Sequence, residues 1–149
     1  MSTKVNLYFQ VSLDLELLEK GVHLEVIRLM GEVELEKEDS KWTNPYPAII
    51  DTGAPVSLLP LEVWQECKTK IVVSHSIRGV VPKEECSLPV QVGEVILRLV
   101  DEKVATKGFS IMAYLAPTNK VPLILGFKDF LSKLSLYHNF EGKRAFVEF

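Results

Sequence analysis

A mainly β fold of short, largely antiparallel strands in a barrel-like arrangement, with one or two short helices, is what this sequence predicts. Three observations carry the expectation: apolar residues alternate with polar ones, apolar runs are short and bounded by turn residues, and helical spacing occurs in only two places. The chain has 149 residues, the length of one domain, expected over 1–149 with an N-terminal hairpin at about 4–30 and a core at about 45–149. Hydrophobic residues at 47% and charged residues at 25% are the proportions of a chain that folds. A net charge of −3 and a pI of 5.7 argue against a basic, phosphate-tracking surface, so nucleic acid is not an expected partner.

Apolar stretches such as Val121–Phe127 fall well short of the roughly 18 residues that span a bilayer. The N-terminus carries Lys4 followed by alternating rather than continuous hydrophobics, unlike a signal peptide. The expectation is a cytoplasmic protein with no membrane partner. Cys67 and Cys86 have no Cys or His at ligand spacing, which leaves two ordinary buried thiols and no metal. His23, His75 and His138 share no metal-binding spacing either. No internal repeat or low-complexity linker interrupts the chain.

From Val5 to Leu15 the apolar residues fall on odd positions, the signature of a half-buried strand. Glu19-Lys20-Gly21 supplies a turn, and Val22, Leu24 and Val26 resume the alternation to Met30, completing a hairpin. Glu32–Lys41, rich in glutamate, reads as an exposed strand end entering a solvated loop. Pro45 and Pro47 break what precedes, and Ala48–Ile50 is a short buried strand ending at Asp51-Thr52-Gly53. Pro60 starts a helix over Leu61–Lys68 whose Leu61, Trp64 and Cys67 face inward. Ile71–Ser74, Ser76–Val81, Leu88–Val92 and Val95–Val100 are short strands, with Gly93-Glu94 as a hairpin bend. Phe109, Ile111 and Ala113 alternate, Val121–Leu125 is a further apolar run, and Phe127–Leu134 has helical spacing. Leu136–Phe140 and Arg144–Phe149 close the chain as a hairpin around Glu141-Gly142-Lys143.

Asp51 stands out on physical grounds. A carboxylate at the end of a buried run costs several kcal/mol unless it is hydrogen-bonded or paired. Asp, Thr and Gly are also ordinary turn residues, so the tripeptide alone fits a plain turn equally well.

The wider context separates the two. Ala48-Ile49-Ile50-Asp51-Thr52-Gly53-Ala54 resembles the active-site signature of the retropepsin-like aspartic proteases, in which hydrophobic residues precede Asp-Thr/Ser-Gly. Those families carry a second element downstream, two apolar residues and a glycine, and here Ile124-Leu125-Gly126 follows, with Gly126 75 residues after Asp51. The resemblance covers roughly Val22 to Phe149. It implies a single-domain, closed β-barrel acid protease fold and an aspartic-type endopeptidase. In such a fold Asp51 is catalytic. Thr52, Gly53, Ala54, Ile124, Leu125 and Gly126 support the active site, the threonine hydroxyl bonding across to a partner loop.

The reaction needs two aspartates sharing one proton, one ionised to activate water and one protonated to polarise the scissile carbonyl. This chain has one Asp-Thr-Gly, and Asp14, Asp39, Asp101 and Asp129 lie in different contexts, so the resemblance requires a homodimer acting on a peptide or protein substrate. No cofactor is implied. Pro55-Val56 and Phe127-Lys128 depart from viral members and bring the chain closer to cellular and bacterial ones; the viral Asp–Arg brace of the dimer is missing. Ala54 in place of serine removes a hydroxyl donor near the dyad, which points to an optimum at mildly acidic to near-neutral pH.

A hairpin flap is expected between the motifs, with Ile77, Arg78, Gly79 and Val80 as its candidates, Gly79 at the tip, and Arg78 and Lys83 toward substrate. The terminal segment Ala145–Phe149 suits either a strand interdigitating with a partner or a strand inside the monomer. A catalytically silent dimerisation or peptide-binding module of the same fold is the alternative function.

Overall fold

The computed structural model describes residues 2–78 and 87–149. In chain order the elements are β1 (Lys4–Asn6), β2 (Tyr8–Leu13), α1 (Leu15–Glu19), β3 (Glu25–Leu35), β4 (Tyr46–Ile50), β5 (Ser57–Leu59), α2 (Leu61–Glu66), β6 (Lys70–Arg78), β7 (Ser87–Val100), β8 (Phe109–Leu115), β9 (Ile124–Leu125), β10 (Ser135–Asn139) and β11 (Arg144–Glu148). The expected β-rich class with two short helices is what forms. Among the described residues no helix is long and apolar enough to cross a membrane.

The strands make two sheets. β1, β11 and β10 form a small one, with β11 in the middle. The larger runs β2-β3-β4-β9-β5-β8-β7-β6, and β3 pairs with β7 as well as with β4. Both contacts are possible because β3 is long: Met30–Val33 pair with β4, while Glu32–Leu35 pair with β7. The pairing therefore runs from β3 through β4, β9, β5, β8 and β7 and back to β3. Inward residues of these strands, among them Leu35, Leu97, Leu99, Ile111 and Leu125, are buried completely and form the core with Phe130. Phe130 meets Phe109 edge to face at 5.5 Å.

Several expected boundaries move, each for a local reason. The strand expected from Val5 to Leu15 divides at Leu7 between the two sheets and ends at Leu13, because the Asp14 carboxylate accepts the Leu17 N–H at 3.0 Å and starts α1. The Glu19-Lys20-Gly21 turn forms with Gly21 at φ +80°, a conformation that suits glycine. The glutamate-rich segment is a strand end entering an exposed turn at 38–41, as expected, but its strand part is not exposed. It continues β3, with Val33 and Leu35 inside and Glu34 paired outside with Arg98 at 2.8 Å. Pro47 does not break β4 but lies within it, opposite Glu32. β9 reaches only Ile49 and Ile50, so β4 at Pro47 has one strand neighbour, the edge-like setting that proline tolerates.

Helix α2 stops at Glu66 rather than Lys68, since Cys67 is extended. Val63 is its one buried residue and Cys67, which caps it, is buried as well, while Trp64 is half-buried and donates its indole N–H to the Ala116 carbonyl at 2.8 Å. The helix expected over Phe127–Leu134 shrinks to a 3₁₀ turn at Leu131–Lys133, because Asp129 takes φ +63° and interrupts the helical backbone. The closing hairpin of β10 and β11 forms as expected, with β11 paired inside the monomer to β1 on its other side.

The largest correction concerns the middle of the chain. The four short strands expected there are two long ones, β6 and β7, in antiparallel register from Lys70↔Glu94 to Arg78↔Ser87, with an irregularity between Ile71 and Val73. Gly93-Glu94 is not a bend. Gly93 sits inside β7 between Ile71 and Ala113, where a methyl group would come within 2.7 Å of Leu115 Cδ1 and 3.1 Å of the Lys70 carbonyl oxygen. The glycine marks a close approach of neighbouring strands rather than a reversal. Gly93→Ala is expected to destabilise the fold by about 1–3 kcal/mol through overpacking. Urea unfolding checks this; a bend glycine exposed to solvent would tolerate alanine with little change.

Candidate active site

β4 and β9 run parallel, with Ile49 opposite Ile124 and Ile50 opposite Leu125, and this pairing brings the two distant sequence elements side by side. The ladder extends one rung further, as the Asp51 N–H donates to the Leu125 carbonyl at 3.0 Å. Asp51 thus begins the loop with its backbone still held by the sheet. The chain then turns, the Ala54 N–H donating to the Asp51 carbonyl at 3.2 Å, and enters β5, whose Leu58 pairs back onto Ile124. β9 is consequently flanked by β4 before the loop and β5 after it.

The loop is clipped to the chain beyond β9 by three hydrogen bonds. Phe127 N–H donates to the Ala54 carbonyl and Lys128 N–H to the Pro55 carbonyl, each at 2.9 Å, and the Gly126 N–H donates to Ser57 Oγ at 2.9 Å. Gly126 is required for this approach: a Cβ there would stand 2.5 Å from the Ala54 carbonyl oxygen and 3.0 Å from the Val56 carbonyl carbon. Ser57 is completely buried, and its hydroxyl supplies the acceptor that this buried N–H needs.

Within the loop the Asp51 side chain is half-buried, and its Oδ1 accepts the Gly53 N–H at 2.8 Å. Among the described residues, Oδ2 has no hydrogen-bond partner. Thr52 and Gly53 are exposed, and the Thr52 hydroxyl likewise finds no partner among the described residues. Thr52, Gly53 and Pro55 line an open depression of about 470 Å³ together with Phe127, Lys128, Asp129 and Ser132. Two larger depressions lie elsewhere. One of about 810 Å³ includes Asn6, Tyr8, Glu32 and Asp101, and one of about 600 Å³ includes Trp64, His75, Pro89 and Gln91.

Asp129 is the charged residue that this arrangement adds. Its Oδ2 accepts the Met112 N–H at 3.0 Å and its Oδ1 lies 3.3 Å from Lys128 Nζ, tying the segment after Gly126 to β8. The Met112 N–H, followed by Lys128, holds the Asp129 carboxyl below its ordinary value. Cys67 is buried, and burial pushes its thiol up, away from the reactive thiolate. His75 stacks on Tyr114 at 6.0 Å between ring centres.

The expected site residues divide clearly. Asp51, Thr52, Gly53, Ala54, Ile124, Leu125 and Gly126 come together as one unit. Of the flap candidates, Ile77 and Arg78 end β6 opposite Leu88 and Ser87, while Gly79 and Val80, with Lys83, lie outside the described residues. Ser57 was not picked out by sequence reasoning. Its signal was its parity: it occupies the same face of β5 as buried Leu59, where a hydroxyl needs a partner. No protein-family model matches this chain, and no curated protein does either.

Two expectations follow. Ser57→Ala leaves the Gly126 N–H buried without an acceptor and is expected to cost about 1–3 kcal/mol. Gly126→Ala should be worse, since both atoms it strikes are backbone; denaturant unfolding of the two variants gives the order. Asp129 contributes through a lowered folded-state value, so its stabilisation is complete above the ordinary 3.8 and is lost as pH falls through the lower folded value. The stability gap between wild type and Asp129→Asn is therefore expected to be constant above about pH 5 and to narrow as the pH falls below the ordinary 3.8. Urea midpoints measured across that range test it.

Proposed function

We propose that this chain is a retropepsin-like aspartic endopeptidase, active as a homodimer whose two Asp51 carboxylates meet at the two-fold axis. The observation that carries the reading is the clip between the Asp51 loop and Gly126. Two short motifs chosen for their likeness to one family, and 75 residues apart, adjoin through the β4–β9 ladder and three loop hydrogen bonds. The circuit of pairings from β3 through β4, β9, β5, β8, β7 and back to β3 supports the closed-barrel form of this fold.

In this reading each protomer contributes half of the chemistry. Two carboxylates drawn close cannot both ionise cheaply, so the pair holds one proton. The ionised member takes a proton from a water lying between them, and the water oxygen attacks the scissile carbonyl. The protonated member donates its hydrogen bond to that carbonyl as negative charge develops on its oxygen. Collapse of the tetrahedral intermediate passes a proton to the departing amine. Gly53 N–H keeps Asp51 Oδ1 oriented, while Oδ2, without a partner among the described residues, would face the axis. The exposed Thr52 hydroxyl is available to bond the partner's loop and set the distance between the carboxylates. An extended peptide fits such a cleft through main-chain pairing, with side chains alternating into pockets of the two subunits.

Asp51→Asn keeps the shape of the side chain and its acceptor for Gly53 but removes the ionisable group. Cleavage of a diverse peptide library between about pH 4 and about pH 8 should fall about a thousand-fold or more in this variant. The wild type should cleave best at mildly acidic to near-neutral pH, and a statine-type transition-state mimic should block it. Because the dyad is shared, specific activity should also fall on dilution as the dimer dissociates. A folded wild-type dimer that cleaves nothing at any pH would instead identify a silent binding module.

A further inference from the structure

The N-terminal hairpin is longer than the body it belongs to. β2 pairs with β3 from Tyr8↔Met30 to Leu13↔Glu25, whereas β4 pairs with β3 only from Met30 to Val33. Among the described residues, Glu25–Leu29 of β3 therefore have β2 as their one strand neighbour, and β2 ends the sheet with its outer edge unpaired. The root of this arm is fixed. Tyr8 donates its hydroxyl to Glu32 at 3.0 Å, and Phe9 meets Phe140 edge to face at 5.2 Å.

Beyond the root the arm exposes a run of large apolar side chains. Val11 and Ile27 are direct cross-strand partners, and Leu13 shares their face. With Leu15, Leu18 and Leu24 at the tip, each of these side chains is between 39% and 69% exposed, and α1 buries no residue at all. Together they present several hundred Å² of apolar surface, at the upper end of what single molecules leave uncovered. Charged residues at the tip, Glu16, Glu19 and Lys20 among them, rim this face as polar residues rim an interface. The edge strand itself, Tyr8–Leu13, has no charge and no proline over its six residues, the devices that keep edge strands from pairing.

Register says which way the arm points. Met30 lies opposite Ile49, and stepping two residues onward brings Arg28, with its partner Gln10, level with Asp51. Everything beyond, including Val11, Ile27 and the whole tip, overshoots the sheet at the end where the Asp51 loop sits. A second copy sharing the Asp51 axis would occupy that side, and a two-fold axis would give each body the other's arm.

We propose that the arm from Tyr8 to Arg28 is a clasp for a second copy of this chain, packing Val11, Leu13 and Ile27 and the leucines at its tip against the partner beside the paired Asp51 loops. This rests on the two-copy reading of the site. A standard stable interface takes roughly 800 Å² from each partner, and each copy would bring its own arm and its own Asp51 loop to it.

The test compares the wild type with Val11→Asp/Ile27→Asp and with Leu15→Lys/Leu18→Lys by sedimentation equilibrium over roughly a thousand-fold concentration range. All four positions are exposed, so thermal unfolding should show both variants still folded. The expected result is a dimer weakened about ten-fold or more in both, with peptide cleavage falling at low protein concentration and recovering at high. Unchanged dimerisation overturns the clasp, and retained cleavage in that case leaves the protease reading standing. A wild type that is monomeric throughout overturns both. An arm-dependent dimer that cleaves nothing keeps the clasp and removes the protease. Binding of the wild type to lipid vesicles, lost in the variants while dimerisation is unaffected, would assign the face to a membrane and overturn the proposal.

Discussion

The close approach of two backbones at Gly126 is the constraint on which the site depends. β9 is only two residues long, yet it holds β4 on one side and β5 on the other, and the loop between those strands closes over the glycine. A side chain at Gly126 would occupy the space of the Ala54 carbonyl, so the residue type is dictated by contact and not by a turn. The carbonyls of Ala54 and Pro55 are then committed to Phe127 and Lys128, and Ser57 to Gly126 itself. With its far end pinned in this way, and its near end held by the Asp51 N–H on Leu125, the loop has little freedom left except at Thr52 and Gly53.

That distribution of restraint has a chemical consequence. The aspartate backbone is rigid while its outer oxygen and the neighbouring hydroxyl are left uncommitted among the described residues. In the proposed dyad, a fixed position and a free oxygen are what the Asp51 carboxylate would need, since preorganised geometry costs nothing at the moment of reaction. Asp129 shows the opposite allocation. Both of its oxygens are occupied, by Met112 and Lys128, and it ties the segment after Gly126 to β8. The two aspartates thus differ: among the described residues both oxygens of Asp129 are engaged, whereas Asp51 engages only Oδ1.

Legibility in the sequence followed the range of the forces involved. Asp51-Thr52-Gly53 and Ile124-Leu125-Gly126 stand out because each is a short run of consecutive residues, and the structure sets the two runs side by side; the β-rich class is legible because alternation is a local pattern. Ser57 escaped because its role is to satisfy an N–H 69 residues away, which no local pattern records. Gly93 was misread for the same reason. Glycine signals a bend or a close approach equally well, and only the neighbouring Leu115 and Lys70 decide between them. At Asp14 two local signals compete, the continuing alternation that favours a strand to Leu15 and the carboxylate that caps a helix, and the cap wins. Pro47 is tolerated within β4 because the penalty for proline in a strand depends on how many neighbours that strand has.

The exposed apolar residues show the same limit from the other side. Alternation in Val5–Leu15 predicts which face of the strand is apolar, and the register bears this out, since Phe9, Val11 and Leu13 share a face. It cannot say what that face meets. Val5 and Leu7 are buried in their own domain, whereas Val11 and Leu13, two and three places further along the same pattern, stand in solvent. The change occurs where β3 outruns β4, so it is the mismatch in strand length that converts a core pattern into a surface one. A chain that continues a core pattern past the end of its own core, and does so at the end of the sheet bearing an uncommitted carboxylate, places its unmet apolar surface and its unmet polar chemistry on one side of the molecule. In the proposed dimer one partner copy on that side would satisfy both, and the arm and the Asp51 loop would then be parts of a single interface.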